Sequence, residues 1–183
     1  MRLTTERLIL RPWEDRDRAA LATIQGDPQV RRFYPDVMTP AAVDADIDGW
    51  IEASRAGKPC LQAAELKAGR QLVGVIGLRE IPDVTRAAIP SHPVVEIGWV
   101  LGQDFWGQGL APEGARAWLA HAWSIGLPEV VAFTARVNGP SQRVMAKIGM
   151  ARDPADDFDH PKLPEGHPLR AHVVYRIRNP DIR

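Results

Sequence analysis

The chain has 183 residues, 45% of them hydrophobic, a balance that fits one globular domain over 1–183 with a sizeable core. Lys plus Arg and Asp plus Glu both number 23, so the formal net charge is zero and no global basic field points to nucleic acid or an anionic membrane. The lone Cys60 rules out an internal disulfide, no C-x-x-C or Cys/His quartet marks a metal, and no apolar run approaches the roughly 18 residues of a spanning helix. With no charged start and apolar core in MRLTTERLILRP, these absences predict a cytoplasmic enzyme or binding domain.

Leu8 to Leu10, within Glu6 to Pro12, reads as a strand that ends at a proline, and the charged run from Glu14 to Arg18 opens a helix carrying Leu21 and Ile24. Phe33-Tyr34-Pro35 reads as a loop. Thr39-Pro40 then offers a hydroxyl N-cap with proline in the first helical position, and Val43, Ile47, Trp50 and Ile51 repeat as one buried stripe. From Cys60 the period changes to that of strands: Cys60 to Leu66 and Gln71 to Leu78 predict a hairpin turned through Lys67 to Arg70. Pro82 to Pro93 is a connector, and Val94 to Leu101 is a strand whose Gly98 suggests a bulge or a close backbone approach. Pro112 to Ile125 reads as a helix stopped by Gly126. Val130 to Arg136 is a strand, Pro140 to Ile148 a short helix, Asp153 to Pro168 a proline-studded loop and His172 to Arg178 a last strand.

Between the strand that ends at Leu101 and the following helix stands WGQGLA, Trp106 to Ala111. Unpaired N–H groups at a helix N-terminus, reinforced by about half a positive charge of helix dipole, make a natural seat for phosphate oxygens. No Lys-Ser/Thr completes a P-loop, and a dinucleotide G-x-G-x-x-G begun at Gly107 would need glycine where Pro112 stands. Pro112 has no N–H, so donors must come mainly from Gln108 to Ala111. Two glycines alone are equally compatible with an ordinary turn using positive φ.

Five ordered blocks span nearly the whole chain: TERLILRPWEDRDRAAL, GDPQVRRF, VGVIGL, EIGWVLGQDFWGQGLAPEGARAWLAHAW and NGPSQRVMAKIGM. Together they resemble the GNAT superfamily of acyl-coenzyme A N-acyltransferases, within its ribosomal-protein-alanine N-acetyltransferase-like branch. The resemblance implies an α+β fold with a mixed, mostly antiparallel central sheet of about seven strands, splayed between strands 4 and 5, with flanking helices. It implies acetyl-CoA as cosubstrate, no metal, and pyrophosphate on the amides after the fourth strand, at Trp106, Gly107, Gln108, Gly109, Leu110 and Ala111. The family's Gln/Arg-x-x-Gly-x-Gly/Ala pattern falls on Asp104 to Gly109, departing at Asp104; the neighbouring Gln103 offers a replacement. By the same matching, Val100 and Leu101 bind the pantetheine arm through their main chain, Asn138 contacts the pantetheine and reacting region, and Ser141 begins the next helix.

Acyl transfer from a thioester needs an unprotonated amine, donors for the developing oxyanion and a proton for the departing thiolate. Glu96, on the strand entering the glycine loop, is the candidate base, against a structural hydrogen bond within the sheet; the N–H around Leu101 is the candidate oxyanion donor. Many relatives place a tyrosine acid after the fifth strand, and this chain has none there. Ser141 is the nearest donor, against a helix N-capping role, with Tyr34 and Tyr175 in reserve. Phe33 and Tyr34 are expected on one wall of the acceptor pocket, and Phe158, His160 or His172 on the other. The three histidines of FDHPKLPEGHPLRAH match no zinc spacing. Cys60 lies on the second strand, away from the thioester. The expectation is therefore an N-acetyltransferase, monomer or homodimer, that acts on a small-molecule or peptide amine by direct transfer, without nucleic-acid or membrane partners. A noncatalytic acyl-CoA-binding sensor is the alternative, supported by the missing tyrosine.

Overall fold

A computed structural model describes residues 1–182. The strands are β1 (Leu3–Thr4), β2 (Leu8–Arg11), β3 (Leu61–Leu66), β4 (Leu72–Glu80), β5 (Val95–Leu101), β6 (Glu129–Ala135), β7 (Ala151–Arg152), β8 (Phe158–Asp159) and β9 (Ala171–Arg178). The helices are α1 (Asp17–Gln25), α2 (Pro40–Arg55), the one-turn α3 (Asp83–Arg86), α4 (Leu110–Ser124) and α5 (Gly139–Lys147). The sheet runs β1-β2-β3-β4-β5-β6-β9-β7, with β8 on β9, and every pairing is antiparallel except β5 with β6. Six of the nine strands are those read from the sequence; β1, β7 and β8 are two-residue pairings, too short to carry a period-2 signal.

Alternation places the core on both faces of the sheet. Leu8, Leu10, Ile76, Leu78, Ile97 and Leu101 point to one face, where Leu110, Ala115, Trp118, Leu119 and Ala122 of α4 cover them. Gly114 allows this approach, since a Cβ there would lie 2.6 Å from Ile76 Cδ1. Ala63, Leu72 and Val75 face the other way, under Leu21 of α1 and Val43 and Ile47 of α2. Thr39 caps α2 as expected, its side chain accepting from Ala42 N–H at 3.2 Å with Pro40 first in the helix.

Four local expectations need correction. Gly98 pairs in regular register with Gly77; the irregularity lies between Ala64 and Glu65 on β3. The predicted start of α4 at Pro112 moves to Leu110, because Gly109 ends the loop in left-handed conformation and the proline sits inside the first turn. The connector after Pro82 folds into α3, and Asp153–Pro168 contains β8.

The splay has a simple cause. β5 and β6 are parallel and share one register pair, Glu96 with Val131, near the start of each strand; β6 otherwise pairs with β9 along its whole length. The strands part beyond that pair, so a gap opens between their C-terminal ends. Those ends lead into α4 and α5, which puts two helix N-termini beside one opening.

A buried ionic cluster anchors the far side of the sheet. Arg11 of β2, 2% exposed, donates to both oxygens of Asp17 at 2.7 and 2.8 Å and twice to Glu65 Oε2 at 3.0 and 2.6 Å. Burial alone would push both carboxyls up, but their bonds to Arg11 hold Asp17 and Glu65 below the ordinary carboxylate range. Arg11→Ala strips buried Asp17 of its guanidinium partner, while Glu65 keeps Arg16 at 2.7 Å and Arg70 at 2.6 Å. The expected loss in a denaturant titration is about 3–5 kcal/mol, the usual cost of removing one partner of a buried pair. Because both pKa values lie lower in the folded than in the unfolded chain, their contribution is complete above roughly pH 4–5 and fades as pH falls through the depressed values.

Candidate active site

The gap carries two adjoining cavities. One, of about 400 Å³, runs between the β5 end, the glycine loop and α5; its lining includes Trp99, Leu101, Gly107, Gly109, Ala111 and Ser141. The other, of about 440 Å³, opens on the opposite side of β5 toward α2 and the β8–β9 segment, with Tyr34, Arg79, Glu96, Phe133, His160 and His172 on its walls. Trp99, Val100, Phe33, Tyr34, Asn138 and Ser141 line both, so the two join at the β5–α5 mouth.

The glycine loop is shaped as a donor cradle. Gly107 and Gly109 have φ of 73° and 77°, conformations that side chains other than glycine's rarely adopt, and they turn the chain from β5 into α4. Leu110 and Ala111 begin the helix, so their N–H groups have no intrahelical acceptor, and Pro112 has none to offer. The loop is braced from behind: Arg7 donates to Gln108 O at 2.8 Å and pairs with Glu113 at 2.6 Å, and Thr5 donates to the same carboxylate at 2.5 Å. Trp106 lines the cavity and donates its indole N–H to Leu101 O at 2.8 Å. Gln108 does not line it; its side chain turns back to Asp104 O at 2.7 Å. Gln103 does not replace the missing motif side chain, because its amide is drawn to Asp27 at 2.5 Å.

The ladder decides which main-chain groups of β5 are free. Gly102 N–H donates to Val73 O at 3.0 Å, and in an antiparallel pair the hydrogen-bonded positions then recur at Val100, Gly98 and Glu96. Val100 therefore spends its main chain on β4, which corrects the expectation of a pantetheine contact through it. Trp99 and Leu101 turn their main-chain groups toward the gap. Leu101 O is taken by Trp106, which leaves the Leu101 N–H as the free donor.

Asn138 is also recast. Its Oδ1 accepts from Ser141 N–H at 3.2 Å, and its amide donates to Thr134 Oγ1 at 2.8 Å and Ser141 Oγ at 3.1 Å. Asn138 is thus the N-cap of α5 and holds Ser141 in place, so its amide protons are already committed. Ser141, weighed in sequence against a capping role, lies inside the first turn, with its hydroxyl accepting from Asn138 and its own proton unclaimed.

Glu96 is 4% exposed and accepts from Arg79 Nε at 2.8 Å, its cross-strand neighbour on β4. Burial pushes its carboxyl above the ordinary range, and the guanidinium beside it only partly offsets this. His160 and His172 line the same cavity with ring centroids 4.9 Å apart. Burial, then the neighbouring His172, lowers His160 to about 4, and burial lowers His172 as well, so both rings are neutral at pH 7. His172 Nδ1 lies 3.0 Å from Arg170 O and His160 Nδ1 accepts from Lys162 N–H at 3.3 Å. These contacts fix opposite tautomers, leaving an acceptor Nε2 on His172 and a donor Nε2 on His160.

Phe158 is the wall residue that the structure contradicts. It is buried with Ile81, Ile89, Val131 and Val174, behind Phe133 and His172, and lines neither cavity. Tyr175 lines neither and reaches Gln142 Oε1 at 3.4 Å; Cys60 also lies outside both. Arg79, Trp99, Arg143 and Lys147 line the cavities and were not singled out in sequence. Arg143 and Lys147 had a signal, two bases four residues apart on a helix beside a phosphate-type loop. Arg79 becomes visible only once the β4–β5 register is known. Among the described residues, no group of three or more His, Cys, Asp or Glu side chains converges on a metal-sized site, and no helix is long and apolar enough to cross a membrane.

A sheet splayed beside a glycine-turned helix start, with a second cavity across the strand, gives two ligands one opening in which to meet. The acetyltransferase (GNAT) domain model matches residues 7–151, and the chain belongs to that family. It is 29% identical over 179 residues to an uncharacterized N-acetyltransferase, YnaD, of Bacillus subtilis, covering 97% of this chain and 96% of that one. Among solved structures, a GNAT-family acetyltransferase from Bacillus anthracis superposes with a TM-score of 0.78 at 26% identity, over 98% of this chain and 99% of that one. A ribosomal L7/L12 alpha-N-protein acetyltransferase in complex with coenzyme A shares the fold, with a TM-score of 0.76 at 16% identity over 97% and 98% of the two chains.

Proposed function

We propose that this N-acetyltransferase seats coenzyme A in the cavity beside α5, receives its amine in the cavity beside α2, and transfers acetyl directly where the two meet. The observation that carries this reading is the pair of joined cavities at the single splay of the sheet, one bounded by unpaired helix-start amides and one by a buried carboxylate. The Gly107 to Ala111 loop would hold the pyrophosphate through backbone donors, and Arg143 and Lys147 stand along the same cavity as counter-charges for phosphate. The Leu101 N–H stabilises the developing oxyanion. Glu96, ionised, takes the proton from the incoming amine through water, and the Ser141 hydroxyl donates to the departing thiolate. Both substrates are held at once, so no residue is acylated.

Thiol release from acetyl-CoA, measured against a broad set of amines and peptides, tests the reading. Amine-dependent release above the hydrolytic background is expected. Tight binding of acetyl-CoA with no such release would favour a sensor and sink the transferase reading. Ser141→Ala is expected to lower kcat by about 10²-fold, the range for a lost proton donor, with coenzyme A affinity unchanged. An unaltered kcat would remove Ser141 from the mechanism.

A further inference from the structure

Five charged side chains line the amine cavity: Arg31, Asp46, Arg79, Glu96 and Lys162. Arg79 and Glu96 pair with each other at 2.8 Å. Arg31, Asp46 and Lys162 make no ion pair among the described residues, which leaves the cavity with a surplus of one positive charge.

Arg31 is the unusual member. Its ring of contacts is neutral: Nε donates to Asp36 O at 3.0 Å, Nη1 to Gln25 Oε1 at 3.3 Å, and the guanidinium lies 3.7 Å from the Tyr34 ring centroid. Nη2 has no partner within the described residues. The side chain is half-buried, and that burial lowers its pKa by more than Tyr34, Asp46 and Asp36, none of them in ion-pair contact, raise it. Most other arginines in the folded chain that are comparably enclosed, such as Arg11, Arg18 and Arg176, hold a carboxylate. The cavity also has an apolar and aromatic part to its lining, with Phe33, Met38, Trp50, Phe133 and Leu169 on its walls.

Building on the acyltransferase reading, we infer that the acceptor is an anionic amine, a primary amine carrying a carboxylate or phosphate-type group and an apolar body, and that Arg31 binds the anion. The charge-assisted bond to Nη2 replaces the missing counter-ion. Asp46, the unpaired carboxylate on the cavity wall, faces an amine that arrives as ammonium, and Glu96 then meets it after it sheds its proton. Arg31 is thus a specificity-determining residue that never touches the thioester.

Matched probes separate these terms. Leucine, methionine and phenylalanine, their amides, and their aminophosphonate analogues are titrated against the protein saturated with coenzyme A, reading binding by calorimetry, and are then assayed for thiol release from acetyl-CoA. The anionic members are expected to bind at least about tenfold more tightly than the amides, the worth of one charge-assisted hydrogen bond, and to be acetylated. The carboxylate and phosphonate arms decide which anion fits. In Arg31→Gln the preference collapses to below about threefold, while coenzyme A affinity, which also certifies the fold, is retained. Amides that bind as well as the anions, a preference that survives Arg31→Gln, or no binding by any member would each overturn the inference. Release with uncharged amines alone would overturn it and leave the transferase reading standing; binding of the anions with no release from any amine would sink the transferase reading, and the acceptor assignment with it, leaving only anion binding at Arg31.

Discussion

Glu96→Gln is expected to lower acetyl transfer by about 10²–10⁴-fold, the range for a lost general base, with coenzyme A affinity essentially unchanged. The carboxamide keeps the shape and can still meet Arg79, so the fold is preserved; what disappears is the group that accepts the amine proton. The same residue sets the pH dependence. Burial raises Glu96 and Arg79 opposes the rise, so kcat/KM should climb with pH through that elevated value, since only ionised Glu96 acts as base. Arg79→Gln removes the opposing cation, which moves this limb to higher pH, and Glu96→Gln abolishes it. A pH profile that Arg79→Gln shifts downward, or leaves in place, would show that Glu96 is only a structural partner.

Gly109→Val is expected to weaken coenzyme A binding by at least about tenfold, or 1.4 kcal/mol, in a direct titration. Gly109 sits at φ 77°, where a β-branched residue is a genuine outlier costing roughly 1–2 kcal/mol or more. The loop relieves that strain by turning, and the turn carries the Leu110 and Ala111 N–H groups out of alignment. The substitution does not strike the core: a Cβ at Gly109 meets only the end of Arg7, at 3.7 Å, an ordinary contact. Thermal stability should therefore fall by no more than the strain itself. Retained affinity in a folded variant would contradict the pyrophosphate assignment.

Legibility differed between short-range and long-range features. The order of long strands and helices was readable because each carries its own period and stop: Thr39-Pro40 opens α2 and Gly126 follows α4. The glycine loop was readable as a turn into a helix for the same reason, while its phosphate-binding role comes from the family resemblance and stands as a proposal. Three kinds of feature were not. Two-residue strands such as β1 and β8 are created by their partners and have no period of their own. The direction of a main-chain group, which separates Leu101 from Val100, depends on the β4–β5 register. The fate of Phe158 depends on how β8 lies against β9: Phe158 faces His172 across the pair and turns its ring into the core, leaving the histidines at the cavity. Arg79 and Arg31 belong to this last kind as well, because their meaning lies in which carboxylate they do or do not meet.

The central claim is that the β5–β6 splay and the loop after it form one acyl-CoA site. A crystal structure with coenzyme A bound tests it most directly. The expected density places the pyrophosphate against the N–H groups of Gly107 to Ala111, the pantetheine alongside Trp99 and Leu101, and the sulfur at the mouth between Ser141 and the cavity of Glu96. Coenzyme A seated anywhere else, or with its sulfur turned away from Glu96, would contradict the claim.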